Sequence, residues 1–295
     1  MRALVIGATG VVGHFLLPRL SAAGVEVHAL SRSPRDESTP LATWHSGDLG
    51  VRGWHHGLPQ IDVALHLAPL WLLPPVLAEL RELGVRRLIA FGSTSRHTKM
   101  ASTSPAERML AARLADAESK LALEADSFHW TLFRPTLIYG AGLDQNVSSV
   151  ARFVRRFGFF PLVGRAEGLR QPVHADDLAA VCVAALNLDA SHGCMVDLGG
   201  GEVLSFREMV LRIFRVLDRP ARLVRLPMAG MKGAVAVASR VPGLRHLDAA
   251  MVARMSVDMT FDNAPARALL GYSPREFRPT AADLGCTARK PVISR

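Results

Sequence analysis

An apolar strand that runs straight into a glycine turn constrains this chain more than any other feature. Residues 2–6 read Arg-Ala-Leu-Val-Ile, and Gly7-Ala8-Thr9-Gly10-Val11-Val12-Gly13 then leads into a helix-like stretch from His14 to Ala23. A second strand-like run, Val25 to Leu30, closes a βαβ unit of ordinary size. In this order Gly7 permits a tight turn and Gly10 lets backbone N–H groups approach a bound group. Gly13 lets helix and strand pack closely, and the helix N-terminus faces negative charge. The physical match is to the pyrophosphate of a dinucleotide, with Gly7, Thr9, Gly10, Val11, Val12 and Gly13 as candidate contacts. The bland alternative is a glycine-rich turn on an empty α/β domain.

The alternation continues. Strand-like runs at Leu41 to Trp44, Val63 to Leu67, Leu88 to Phe91 and Trp130 to Phe133 are separated by helix-like ones. This predicts an α/β fold, a doubly wound parallel sheet of the Rossmann type with its ligand site at the carboxyl ends of the strands. Ser104-Pro105-Ala106-Glu107 offers an N-cap, a first-turn proline and a capping-box glutamate ahead of the helical spacing of Met109 to Leu123. Beyond Tyr139-Gly140 short helices and strands mix: a helix from Asp176-Asp177, a strand at Met195 to Leu198, and a second capping box at Ser205 to Glu208. The expected organisation is a dinucleotide-binding core over 1–140. A smaller, mixed substrate lobe spans 141–295, with segments returning to the core.

Composition narrows the partners. Of the 295 residues 49% are hydrophobic and 21% charged, the balance of an ordinary globule. Cys182, Cys194 and Cys286 are odd in number and widely spaced, which suggests neither a disulfide framework nor a metal site. With no secretory signal visible, the expected location is the cytoplasm. Two apolar stretches, Ala64 to Leu77 and Leu226 to Leu244, are broken by prolines and, in the second, by Lys232 and Arg240, so neither is expected to span a membrane. The second, flanked by arginines, leaves peripheral bilayer contact open beside a packed helix. A net charge of +9 with arginines at 152, 155, 156, 165 and 170 suits a small anionic ligand. Nucleic acid is disfavoured by the few aromatic residues and the lack of any nucleic-acid module pattern.

Taken together, several motifs resemble the short-chain dehydrogenase/reductase superfamily, in its extended or atypical, NAD(P)-dependent epimerase/dehydratase-like branch. They are the glycine turn, Gly47-Asp48-Leu49, Phe91-Gly92-Ser93-Thr94-Ser95, Phe133-Arg134-Pro135-Thr136 through Tyr139-Gly140, Pro172 to Leu178, and Thr260-Phe261-Asp262-Asn263 with Leu270 to Arg275. The resemblance implies that Asp48 and Leu49 meet the adenine, that Leu65, His66 and Leu67, with Ala68, line the cofactor channel at the end of the fourth strand, and that Pro135 lies beside the cofactor. His66, flanked by leucines, reads as a packed residue without chemistry. Cofactor choice turns on the end of the second strand, where an acid selects NAD and an arginine accommodates the extra phosphate of NADP. Here Leu30-Ser31-Arg32-Ser33 has no acid until Asp36, so Ser31 and Arg32 favour NADP, with NAD as the alternative.

The superfamily's tyrosine, four residues before a lysine on the helix between the fifth and sixth strands, is missing. The chain has two tyrosines, Tyr139 and Tyr272, and neither lies on that helix. Lys120 does, with Asp116 four residues before it; the other register places Leu110 and Leu114 at the dyad positions. Thr94, flanked by Ser93, matches the hydroxyl position, and Lys99 offers a substitute cation. Asn146, Arg152 and Arg170 resemble positions that hold the anionic part of a nucleotide-sugar. One reading is an oxidoreductase or epimerase-like enzyme on a nucleotide-sugar or other small anionic carbonyl or alcohol. The other is a non-catalytic dinucleotide-binding redox sensor, assembly factor or structural subunit. Oligomeric state is not specified by the sequence.

Overall fold

The computed structural model describes residues 1–34, 38–124, 127–226 and 254–286. Asp36, the apolar run from 227 to Leu244 and the tail from Thr287 lie outside them. In chain order the strands are β1 (Arg2–Ile6), β2 (Glu26–Ser31), β3 (Ser38–Thr39), β4 (Ala42–Ser46), β5 (Val63–His66), β6 (Arg87–Phe91) and β7 (His129–Pro135). They continue with β8 (Ile138–Tyr139), β9 (Phe160–Val163), β10 (Leu169–Arg170), β11 (Val173–His174), β12 (Cys194–Leu198), β13 (Leu204–Ser205) and β14 (Leu223–Leu226). The helices are α1 (Val11–Ala22), α2 (Leu77–Glu82), α3 (Ser95–Thr98), α4 (Pro105–Ala122), α5 (Val147–Phe157), α6 (Ala175–Ala185), α7 (Phe206–Val216) and α8 (Ala264–Leu270). The chain divides into two compact units. One is Met1–Thr136 with Ala175–Leu198 and Phe261–Pro274; the other is Leu137–His174 with Gly199–Thr260 and Arg275–Arg295.

The first unit is the expected doubly wound α/β fold. Its sheet runs β12-β7-β6-β5-β1-β2-β4-β3, parallel throughout except for the short hairpin of β3 with β4. The strand order reverses beside β1, which has β2 on one side and β5 on the other. That reversal is the place where a doubly wound sheet opens a crevice at its carboxyl edge. The core strands are apolar without alternation because helices cover both faces: Ala3, Leu4, Val5, Ala64 and Leu65 are fully buried. Helix α1 starts from Gly10 in extended conformation and buries Val12, Gly13, Leu16, Leu17 and Leu20. It is tied to α6 by Arg19 and Asp176, 2.6 Å apart, so one acid of the Asp176-Asp177 pair serves to pin two helices.

Helix α4 departs from its sequence signature. Ser104 is its extended N-cap and Pro105 its first residue, but the Ser104 side chain makes no capping bond. Glu107 instead accepts a bond from the Ser102 hydroxyl at 2.6 Å, so the reciprocal box does not form. The box at α7 keeps its first half: the Ser205 hydroxyl accepts from the Glu208 N–H at 3.1 Å. In the second unit, α5 and α7 and three two-stranded sheets enclose a core that includes Tyr139, Phe160, Phe206, Phe214 and Phe277. Tyr139 packs edge-on against both His174 and Phe277 at 5.0 Å. Among the described residues no helix is long and apolar enough to cross a membrane.

Candidate functional site

A cleft of about 520 Å³ opens at the carboxyl edge of the first unit's sheet, where the strand order reverses. Each wall is the loop after one strand: Gly7, Thr9 and Gly10 after β1, Ser31, Arg32 and Ser33 around the end of β2, Gly47, Asp48 and Leu49 after β4, and Leu67, Ala68 and Pro69 after β5. Nine of the residues singled out in the sequence therefore meet on one cavity.

The three glycines do different work. At Gly7 the backbone is left-handed (φ 84°), and a Cβ there would lie 2.7 Å from the Ala68 amide nitrogen, so only glycine lets β1 and β5 end side by side. A Cβ at Gly13 would collide with the Ala8 carbonyl, which makes this residue a helix-to-strand packing position inside the unit. Gly10 has ordinary φ, and of the surrounding protein only the Gly7 carbonyl comes close to a Cβ built there, at 3.3 Å. Its missing side chain leaves the cleft floor open beside the N-terminus of α1, the geometry a pyrophosphate requires. The fit of residues to a dinucleotide rests on that opening. Val12 belongs to the core and Val11 is half-buried, so neither they nor Gly13 are among the cleft's lining residues.

At the end of β2 the Ser31 hydroxyl accepts a bond from the Ser33 N–H at 3.3 Å, while Arg32 is exposed and has no acid partner among the described residues. Asp48 spends one carboxylate oxygen on the Gly50 N–H at 2.9 Å and is otherwise exposed to the cleft. The structure adds Pro69 and Leu72 to the wall, residues the motif reading missed. Their sequence signal is weak because Leu67 to Leu73 looks like generic apolar chain. Trp71 beside them is clamped by Arg113 of α4, whose guanidinium lies 4.3 Å above the indole. Leu65 and His66, at the end of β5 and expected to line the channel, are instead fully buried in the core and are not among the cleft's lining residues.

After β6 the hydroxyl candidates lie on the turn into α3. Thr94 is buried and donates its hydroxyl to the Pro135 carbonyl at 3.2 Å; its own N–H goes to the same oxygen. Pro135 thus holds this loop through its backbone. The Ser93 hydroxyl accepts from the Ser95 N–H at 3.1 Å. Lys99 is no loose cation: its ammonium lies 3.6 Å from the carboxylate of Glu107. Glu118, on the buried face of α4, is gripped by Arg134 at 2.7 and 2.9 Å and by Arg96 at 2.6 Å, a hub the sequence reading did not anticipate. Lys120 pairs with Asp116 on the exposed face of the same helix. Both tyrosines are buried away from the cleft lining, and burial, aided by Asp177, pushes the Tyr272 hydroxyl well above the ordinary phenol range.

The three substrate candidates fall in the second unit and part company. Asn146 and Arg152 are exposed on α5, Asn146 at its N-cap and Arg152 donating to the Ser149 hydroxyl at 2.6 Å. Arg170 must be reassigned. It is buried, stacked on Phe206, and its terminal nitrogens donate to the carbonyls of Leu169, Val257 and Arg254 at 2.8, 2.8 and 2.5 Å. Burial lowers its pKa to about 10, so it stays charged as a structural clamp and offers its terminal donors to carbonyls rather than to a ligand.

A model of the NAD dependent epimerase/dehydratase family matches residues 3–70, the stretch that builds most of this cleft. A reductase of Streptomyces griseus subsp. griseus named for (4-alkanoyl-5-oxo-2,5-dihydrofuran-3-yl)methyl phosphate is 30% identical over 237 residues, 76% of each chain. The chain belongs to the NAD-dependent epimerase/dehydratase family. A second relative, the mitochondrial NADH dehydrogenase [ubiquinone] 1 alpha subcomplex subunit 9 of Arabidopsis thaliana, is 34% identical over 128 residues, 43% of this chain and 31% of that one. Among solved structures, MoeE5 in complex with UDP-glucose and NAD superposes with a TM-score of 0.74 over 96% of this chain and 97% of that one. At 18% identity that likeness is one of fold.

Proposed function

We propose that this family member is an NADP(H)-dependent oxidoreductase or epimerase-like enzyme acting on a carbonyl or alcohol of a small anionic substrate, a nucleotide-sugar or a phosphate ester. The observation that carries the reading is the cleft: an open glycine floor at a helix N-terminus, with Arg32 where an acid would select NAD. The relative named as a methyl phosphate reductase and the neighbour holding UDP-glucose support an anionic substrate. A bound nicotinamide would supply the hydride. In this proposal the chain's own part falls to Thr94, whose hydroxyl would turn from Pro135 to hold the substrate oxygen. Ser93 flanks it, and the Glu107-anchored Lys99 provides positive charge. Asn146 and Arg152 are the remaining candidates for the anionic end of the substrate.

Consumption of NADPH across a panel of nucleotide-sugars and small phosphorylated carbonyls tests this. We expect turnover with at least one of them, and a loss of roughly 10²–10⁴-fold in Thr94→Val, the range for a displaced proton-handling group. Cofactor affinity should be unchanged. A second reading, a non-catalytic dinucleotide-binding protein, is favoured by one observation: α4 carries no tyrosine, and its lysine is paired with Asp116 on an exposed face. Tight NADPH binding with no turnover across the panel would select it.

A further inference from the structure

We infer that the basic, aromatic face at the C-terminal end of α5 docks this protein on an anionic lipid bilayer. Helix α5 buries Val147, Val150, Ala151 and Val154 in the second unit, which leaves Arg155 and Arg156 exposed. It ends at Gly158 in left-handed conformation (φ 74°), and the chain turns there with Phe157 and Phe159 only half-buried, stacked around Phe153 at 4.7 and 5.6 Å. The next strand, β9, pairs with β14, where the Phe160 N–H donates to the Arg222 carbonyl. That pairing brings in the exposed Arg222 and Arg225 and, between them, Val224 with 43% of its surface open. Arg219 joins through a hollow of about 290 Å³ that it lines with Arg155.

Charge decides the occupant. Among the described residues none of Arg155, Arg156, Arg219, Arg222 and Arg225 meets a carboxylate; Arg155 contacts only the Gly285 carbonyl and the Cys286 sulfur, each at 3.3 Å. Arg212, on the adjacent α7, shows the contrast, held by Glu202 at 2.6 Å. Five guanidiniums without a carboxylate partner among the described residues, around half-exposed phenylalanines, complement a surface with negative headgroups above an apolar layer. Nucleic acid is the poorer match, because the rings pack on one another and Arg156 covers Phe157 at 5.5 Å, which closes ring faces to base stacking. The bilayer contact suggested by the sequence of Leu226 to Leu244 concerns, beyond Leu226, residues outside those described; the residues named for this face are all described ones. Near an anionic bilayer each arginine strengthens binding by about fivefold.

The test is flotation of the full chain with two vesicle preparations, phosphatidylcholine alone and equal parts phosphatidylcholine and phosphatidylglycerol. We expect binding to the anionic vesicles only, weakened by salt, and lowered at least roughly tenfold in Arg155→Glu/Arg156→Glu and independently in Arg222→Glu/Arg225→Glu. NADPH titration of each variant should match wild type, which confirms folding. Absence of flotation on anionic vesicles, equal binding to both preparations, or binding undiminished in both double variants would overturn the inference. So would a single-stranded RNA that displaces the protein from the vesicles and whose own binding is lost in the same variants.

Discussion

His66 closes β5 with its ring wholly inside the first unit, its Nε2 bonded to the Pro69 carbonyl at 3.3 Å and its Nδ1 without a partner among the described residues. Burial lowers its pKa to about 4, against a smaller opposing effect of the Pro69 bond. The imidazole is therefore neutral near pH 7, consistent with a packed residue rather than an acid or base. Because the unfolded chain takes up the proton near its ordinary value of about 6.5, stability falls as pH drops from there to about 4, by about 3 kcal/mol in total. His66→Gln removes this titration. Its thermal midpoint should decline less than that of wild type across that window, and parallel pH profiles would show that the ring is not the group responsible. The cleft above is equally a matter of single residues. Of the three glycines of the turn, Gly7 and Gly13 are required by the fold, whereas a Cβ at Gly10 would meet only the Gly7 carbonyl, at 3.3 Å.

At the scale of the element, α4 is where the chain departs most from what the resemblance leads one to expect. The helix that carries a tyrosine and lysine in the superfamily it resembles here carries a buried carboxylate between two arginines from α3 and β7. Glu118 so fixes the short α3 turn and, through it, the loop bearing Ser93 and Thr94. Removing one partner from such a buried cluster leaves charge uncompensated, at a cost of about 3–5 kcal/mol. Glu118→Ala should lower the unfolding free energy obtained from urea titration by that amount, while Lys120→Ala, which breaks an exposed pair with Asp116, should cost under about 1 kcal/mol. Equal effects would mean that the hub is no more than a surface contact. Neither the hub nor the failed capping box at Ser104 was legible in the sequence. Both depend on where Arg96, Arg134, Ser102 and Lys99 arrive in space, which local spacing does not encode.

For the molecule as a whole, legibility followed chain locality. The parallel sheet and the nine residues that line the cleft could be read because each lies within a few residues of a strand, where periodicity and glycines mark position, whereas the strand order is set by long-range pairing. Arg170 misled for the opposite reason: its carbonyl acceptors at Val257 and Arg254 are remote in sequence, and an arginine beside a motif looks the same whether it faces a ligand or a backbone. The pair of His174 with Asp283 at 2.9 Å was hidden likewise, although together with two bonds from Thr280 it holds the Asp283 carboxyl at about 2 despite burial that opposes ionisation. Central to the proposed function is a dinucleotide in the cleft of the first unit, with Arg32 at its extra phosphate. The direct measurement is titration of NADPH and NADH against wild type and Arg32→Asp. The account predicts tighter NADPH binding in wild type, and loss of about 1.5–3 kcal/mol of that preference in the variant, the worth of one charge-assisted contact. Equal affinities for the two cofactors in wild type, or a preference unchanged in Arg32→Asp, would contradict it.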